Sequence, residues 1–168
     1  VIDNAGTDLP SLPGALGDAL AEAGLSTGAV GNGDTIQPDC DVTISRPAAV
    51  AVMRSDGFVD HGEVGQVLLQ PNAEAPFGVE SDVDAMLRTT LATLQDADVV
   101  TVDPGDLDRL RSYDSVMTES ERTQLRFDAL RHVDDLVAGL STSLPDGTLL
   151  LVVGLTPPTS DWALTPVI

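Results

Sequence analysis

Four short apolar runs, at 27–31, 48–53, 99–102 and 148–153, constrain this chain more than any other feature. Each has the length of a strand and lacks the polar alternation of a half-exposed one, the pattern of strands buried on both faces. Stretches of helical spacing lie around them. Leu12, Leu16 and Leu20 share one helical face, with Pro13 suited to a first turn and Gly24 to the position after the last. Ser81 with Asp84 has the spacing of a capping box, and Val83, Met86, Leu87, Thr90, Leu91 and Leu94 continue as a helical stripe. Thr118 with Glu121 is a second box. It opens a long helix over 118–140 whose stripe is Leu125, Ala129, Val133, Leu136, Val137 and Leu140.

Punctuation separates these segments. Ser55-Asp56-Gly57 predicts a turn that returns Phe58-Val59 as a hairpin strand against 48–53. Residues 32–46 and 70–80 read as a loop and a connector, and Pro145-Asp-Gly147 as a turn before the last run. Continuous apolar strands alternating with helices predict an α/β fold: a three-layer, mostly parallel sheet with helices on both faces. A chain of 168 residues suits one such domain, spanning 1–168. Aromatic residues make up only 3 %, so Val, Leu and Ala must fill its core.

Charge excludes some functions. Twenty-seven acidic residues face eight basic ones, all arginine, for a net charge of −19. Such a chain repels phosphate backbones and anionic lipid, so neither nucleic acid nor a charged membrane surface is an expected partner. No apolar run approaches the roughly 20 residues of a spanning helix, so this segment does not insert in a membrane, and no signal peptide is visible. The single cysteine, Cys40, sits between Asp39 and Asp41, whose charges disfavour a reactive thiolate. The chain starts at Val1 and ends on the strand-like pair Val167-Ile168, and so reads as a piece of a longer protein.

Ligands of parallel sheets gather beyond the carboxyl ends of the strands. Asp98-Val-Val-Thr-Val-Asp-Pro-Gly-Asp-Leu-Asp108 places Asp103, Asp106 and Asp108 there. Hard cations want several oxygen ligands, so these three are the candidate metal ligands, for Mg, Mn, Zn or Ca. They are equally read as loop and capping residues, or as partners of Arg109 and Arg111. Gly31-Asn32-Gly33 offers backbone N–H groups at another strand end, making Asn32 a candidate ligand-binding residue. His61 and His132 read as solvated histidines, with His132 placed off the apolar stripe of its helix. Trp162 reads as a packing residue. No zinc spacing of Cys and His and no Gly-x-Ser-x-Gly elbow occurs, so no catalytic residue is assigned.

The order of these segments resembles the alkaline phosphatase-like superfamily of sulfatases, phosphodiesterases and phosphomutases. Leu20-Ala-Glu-Ala-Gly-Leu-Ser-Thr-Gly-Ala-Val-Gly31 resembles its helix, glycine and small strand. The 98–108 stretch looks like its strand leading to a metal loop, and helix 118–140 with 148–153 looks like the unit leading to the next metal loop. More narrowly, the chain from about residue 12 resembles an uncharacterised branch found outside the membrane in multi-spanning actinobacterial proteins. The resemblance implies metal ligands at Asp106 and Asp108, with Asp103 an added candidate. Departures accompany it. Family members follow the first loop with a Gly-His pair, where this chain has Arg109-Leu-Arg111. They carry Asp-His-Gly after the later strand, where this chain has Gly154-Leu-Thr-Pro-Pro158. Their Ser or Thr nucleophile follows the first strand of the fold, a segment expected before Val1 or missing from this chain.

These readings lead to an expected function. The chain is a degenerate, non-catalytic alkaline phosphatase-like domain, extracytoplasmic and tethered through the membrane-spanning remainder of the same protein. It serves there as a binding or interaction module without a bound metal. The alternative is a metal-dependent phosphoester or sulfate-ester hydrolase whose altered site uses Asp106 and Asp108, with its nucleophile outside this chain. A purely structural role in an envelope protein is the third reading.

Overall fold

The computed structural model describes residues 12–36 and 41–154. Cys40, Trp162 and the stretch after Gly154 lie outside the described residues.

A three-stranded parallel sheet organises the described chain. β1 (Thr27–Val30) is its centre, with β4 (His61–Glu63) on one side and β7 (Val99–Val102) on the other. Gly28 pairs with His61 and with Val100, and Val30 with Glu63 and with Val102. All four β1 residues are buried, as an unbroken apolar run in a central strand requires. Two antiparallel hairpins flank the sheet. One joins β2 (Thr35–Ile36) to β3 (Val42–Thr43), and the other joins β5 (Leu69–Pro71) to β6 (Val79–Ser81).

Helices cover both sheet faces, as predicted. On one face Ala29 packs with Ala48 and Val52 of α2 (Pro47–Val52), and Thr101 donates to the Ala48 carbonyl at 2.9 Å. On the other face Val30, Val100 and Val102 meet Met86 of α3 (Val83–Thr93) and Leu136 and Leu140 of α5 (Glu119–Ser143). α1 (Ala15–Glu22) precedes β1, and α4 (Asp106–Tyr113) lies between β7 and α5.

Several predictions from the sequence need correction. The run 48–53 is helix, not strand. Pro47 presets the first turn without losing a needed N–H, the alanines favour helix, and the buried pair Ala48 and Val52 is spaced by four. Ser55-Asp56-Gly57 does turn, with Gly57 N–H donating to the Arg54 carbonyl at 2.8 Å. The chain then runs past Phe58 into β4, which pairs parallel with β1 rather than returning as a hairpin. The connector 70–80 is itself a hairpin. Leu16 of α1 and Leu12 before it face outward, and Gly17 is the buried contact against Val52 and Met53.

Two further corrections concern strand and helix ends. Among the described residues the stretch 148–153 forms no strand of the three-stranded sheet and makes only an isolated bridge at Val153: Leu150 packs on the core, while Leu149 and Leu151 are 78 % and 60 % exposed. The α3 cap is Asp82, whose carboxylate accepts the Ala85 N–H at 2.8 Å, because Ser81 is committed to β6. The second capping box is present: Thr118 Oγ1 accepts the Glu121 N–H, and Glu121 Oε2 accepts the Thr118 N–H at 2.8 Å.

Candidate functional site

The carboxyl ends of β1 and β7 touch through two glycines. Gly31 follows β1 with φ +152°, and a Cβ there would lie 2.0 Å from the Asp103 carbonyl oxygen. Gly105 precedes α4 with φ +80°, and a Cβ there would lie 2.4 Å from the Asn32 carbonyl oxygen. Only glycine permits both the backbone angle and the approach. The loop 31–34 is thereby pressed against the loop 103–105.

Arg109 pins this junction from inside. Its side chain is 1 % exposed. Nη1 donates to the Asn32 carbonyl, and Nη2 to Ser81 Oγ at 3.0 Å, to the Pro104 carbonyl at 3.1 Å and to the Asp106 carboxylate. Asp106 also accepts the Ser81 N–H at 3.0 Å, and its second oxygen lies 3.1 Å from His132 Nδ1. One buried ion pair thus ties together α4, β6, α5 and both strand-end loops. A second pair closes the neighbouring loop, where Arg46 grips the buried Asp34 with both terminal nitrogens.

The three sequence-predicted metal ligands occupy three different surroundings. Asp106 and Asp108 belong to the first turn of α4, not to a loop. Residues two apart on a helix project roughly 200° from one another, so the two carboxylates cannot share an ion. Asp106 faces Arg109 and His132. Asp108 faces Arg111 at 3.8 Å, beside a small cleft that Ser45 and Ser112 also line. Asp103 stays in the loop, where its Oδ1 accepts the Gly105 N–H at 2.8 Å. Burial pushes the Asp103 carboxyl above its ordinary pKa, the Gly105 N–H opposes this, and the Asp108 and Asp106 charges add to the rise. Among the described residues, no three His, Cys, Asp or Glu side chains gather as a group able to hold a metal ion.

Asn32, the candidate ligand-binding residue, is buried. Its Oδ1 accepts the Asp34 N–H at 2.8 Å, which tightens the loop. Its Nδ2 has no partner among the described residues, and neither has Arg109 Nε. His61 lies on edge strand β4 and is exposed.

His132 is the residue that sequence reasoning misplaced. It is 22 % exposed rather than solvated. It stands three residues after Ala129 and four before Leu136, both buried, so the helical spacing itself puts it on the inward stripe. Its Nδ1 meets Asp106, and its Nε2 lies 3.9 Å from Glu80 Oε2. Because the two acids approach opposite sides of the ring, they do not converge on one ion. Beside this row opens a cleft of roughly 590 Å3, lined by Asn72, Glu80, Asp106, Arg109, Tyr113 and His132 among others.

No protein-family model, curated protein or solved structure matches this chain.

Proposed function

We propose that this chain is a non-catalytic binding or interaction module of alkaline phosphatase-like descent, extracytoplasmic and attached to the membrane-spanning remainder of its protein. One observation carries the reading: the best-placed candidate ligand, Asp106, is spent on Arg109, the Ser81 N–H and His132. A carboxylate so engaged holds four elements together and has little left to offer a cation. The helix, glycine and small strand at 20–31 and the strand at 99–102 support the descent, and the 590 Å3 cleft beside Asp106 supports a binding role. No helix among the described residues is long and apolar enough to cross a membrane.

The test is turnover of phosphate and sulfate esters, with and without Mn²⁺ or Zn²⁺, by the longest natural form of the protein. The expected result is none above the uncatalysed rate. Metal-dependent turnover abolished by Asp106→Ala would overturn the reading. The alternative, a metal-dependent ester hydrolase with an altered site, draws support from Asp103 alone. Its carboxyl is desolvated and raised in pKa, a condition that a bound cation relieves. Calorimetric titration with Mn²⁺ separates the two readings, since that alternative requires binding that Asp103→Asn removes.

A further inference from the structure

We propose that His132 is a pH-sensitive latch across the cleft. With both ring nitrogens protonated it clasps the β5–β6 hairpin to α5, and on losing a proton it releases the hairpin and lets the cleft widen. This goes beyond the binding-module reading and does not depend on it.

His132 stands between two acids on different elements. Nδ1 lies 3.1 Å from Asp106 Oδ2 of α4, and Nε2 lies 3.9 Å from Glu80 Oε2 of β6. An imidazolium carries an N–H on each nitrogen and answers both carboxylates. A neutral ring carries one, so one nitrogen then turns a lone pair toward a carboxylate oxygen. The Asp106 contact has hydrogen-bond length, and Asp106 is fixed in place by Arg109 and the Ser81 N–H. The Glu80 contact is longer than a hydrogen bond and rests on charge, so it is the one given up.

The surrounding groups leave Glu80 to His132. On α4, Arg109 is taken by Asp106, and Tyr113 packs edge-on against Phe77 of the hairpin. On α5, Arg131 pairs with Asp128 at 3.3 Å, and Glu121 accepts the Thr118 N–H. α3 meets α5 through Met86 and Leu87, which carry no charge. On the hairpin, Glu74 is exposed, while Glu80 accepts from Gln70 Nε2 at 2.9 Å and Asn72 Nδ2 at 2.6 Å. Those amides position the Glu80 carboxylate without cancelling its charge. Among the described residues, His132 with Glu80 is the one ion pair that joins the hairpin to α5. The root of the hairpin is fastened elsewhere: Ser81 N–H donates to Asp106, and Ser81 Oγ to the Pro104 carbonyl at 2.5 Å. Losing the pair therefore swings the hairpin about a fixed root and does not unfold it. The cleft of roughly 590 Å3 is lined by both partners, so its width follows the latch. Their side chains are 22 % and 19 % exposed, which gives the ring access to protons from solvent.

Hydrogen exchange of the whole 168-residue chain, followed by NMR between about pH 5 and pH 9 and expressed as protection factors, tests the latch. Protection of the β5 and β6 amides should fall about fivefold as pH rises through the midpoint at which the His132 ring itself titrates, with β1 amides unchanged. Glu80→Gln keeps an oxygen at that position and removes the charge. His132→Gln keeps a donor for Asp106 and cannot titrate. In either variant, shown by circular dichroism to be folded, the fall should vanish. Hairpin protection that stays flat through the His132 midpoint, or that falls as before in folded Glu80→Gln or His132→Gln, overturns the proposal. Ester turnover, which decides the module reading, leaves this outcome untouched.

Discussion

The two ends of the β1 strand use the same residue type in opposite ways. At the amino end, Asp98 accepts the Ser26 N–H at 2.8 Å, and Asp60 accepts the Thr27 N–H at 2.9 Å with Arg54 beside it. Both carboxyls lie below their ordinary pKa, foremost because a backbone N–H donates to the charged form. At the carboxyl end, Asp34 and Asp106 are buried against arginines, and burial holds Asp103 above its ordinary value. The amino-end aspartates staple the strand and stay wet. Asp34 and Asp106 at the carboxyl end have given up solvent, which costs folding free energy unless an arginine or a donor answers them. Desolvated charge kept at one end of a parallel sheet, beside a cleft, marks where function belongs.

The most severe way to break this comparison is to remove the arginine at the junction. Arg109→Met leaves Asp106 buried without its cation, and chemical denaturation should show a loss of about 3–5 kcal/mol. Arg109→Met combined with Asp106→Asn should recover part of that loss, since the amide oxygen still accepts the Ser81 N–H while the unpaired charge is gone. A loss under about 1 kcal/mol in the single variant would mean that the carboxyl end is not held by this pair.

Gly105→Ala attacks the same end through the backbone. The added Cβ meets the Asn32 carbonyl at 2.4 Å, and φ is +80°. The expected cost is about 1–3 kcal/mol, read as a lowered Tm, with the loops 31–34 and 103–105 pushed apart. Gly147→Ala has a similar φ of +85° but nothing within 4 Å, so it isolates the backbone-angle share of the penalty.

How far this architecture was legible from sequence follows from which signals were local. The runs 27–31 and 99–102 are strands because a central or doubly covered strand needs nothing but apolar side chains. The Thr118 and Glu121 box worked for the same reason, all its atoms lying within one turn. The run 48–53 misled because six small apolar residues satisfy both periods, and only Pro47 tips the balance. At the site, the aspartates were legible as a cluster but not as a geometry. Reading Asp106 to Asp108 as loop made them look convergent; Gly105 as the left-handed residue that opens a helix sets them on opposite sides. His132 was within reach of its spacing, whereas its pairing with Asp106, 26 residues away, is a tertiary fact.

The smallest effects discriminate most finely, because they carry opposite signs. Asp60 has a depressed folded-state pKa, so its stabilisation is present above the unfolded value of about 3.9 and is lost as pH falls through the folded one. Asp60→Asn should therefore lower Tm slightly at pH 7, with the difference closing in acid. Asp103 is raised, so the fold favours its protonated form, and the stability this contributes is present below about pH 3.9 and lost as pH rises through the folded value. Asp103→Asn keeps an oxygen for the Gly105 N–H and removes a half-buried charge. It should raise Tm slightly at pH 7, with the gain fading as pH falls below the carboxylate range. Thermal melts of the two variants across that range make the comparison a matter of sign. If Asp103→Asn instead destabilises at neutral pH by as much as Asp60→Asn, the Asp103 carboxylate is answered by a favourable partner, and the contrast between the two ends of the sheet fails at the residue where it is sharpest.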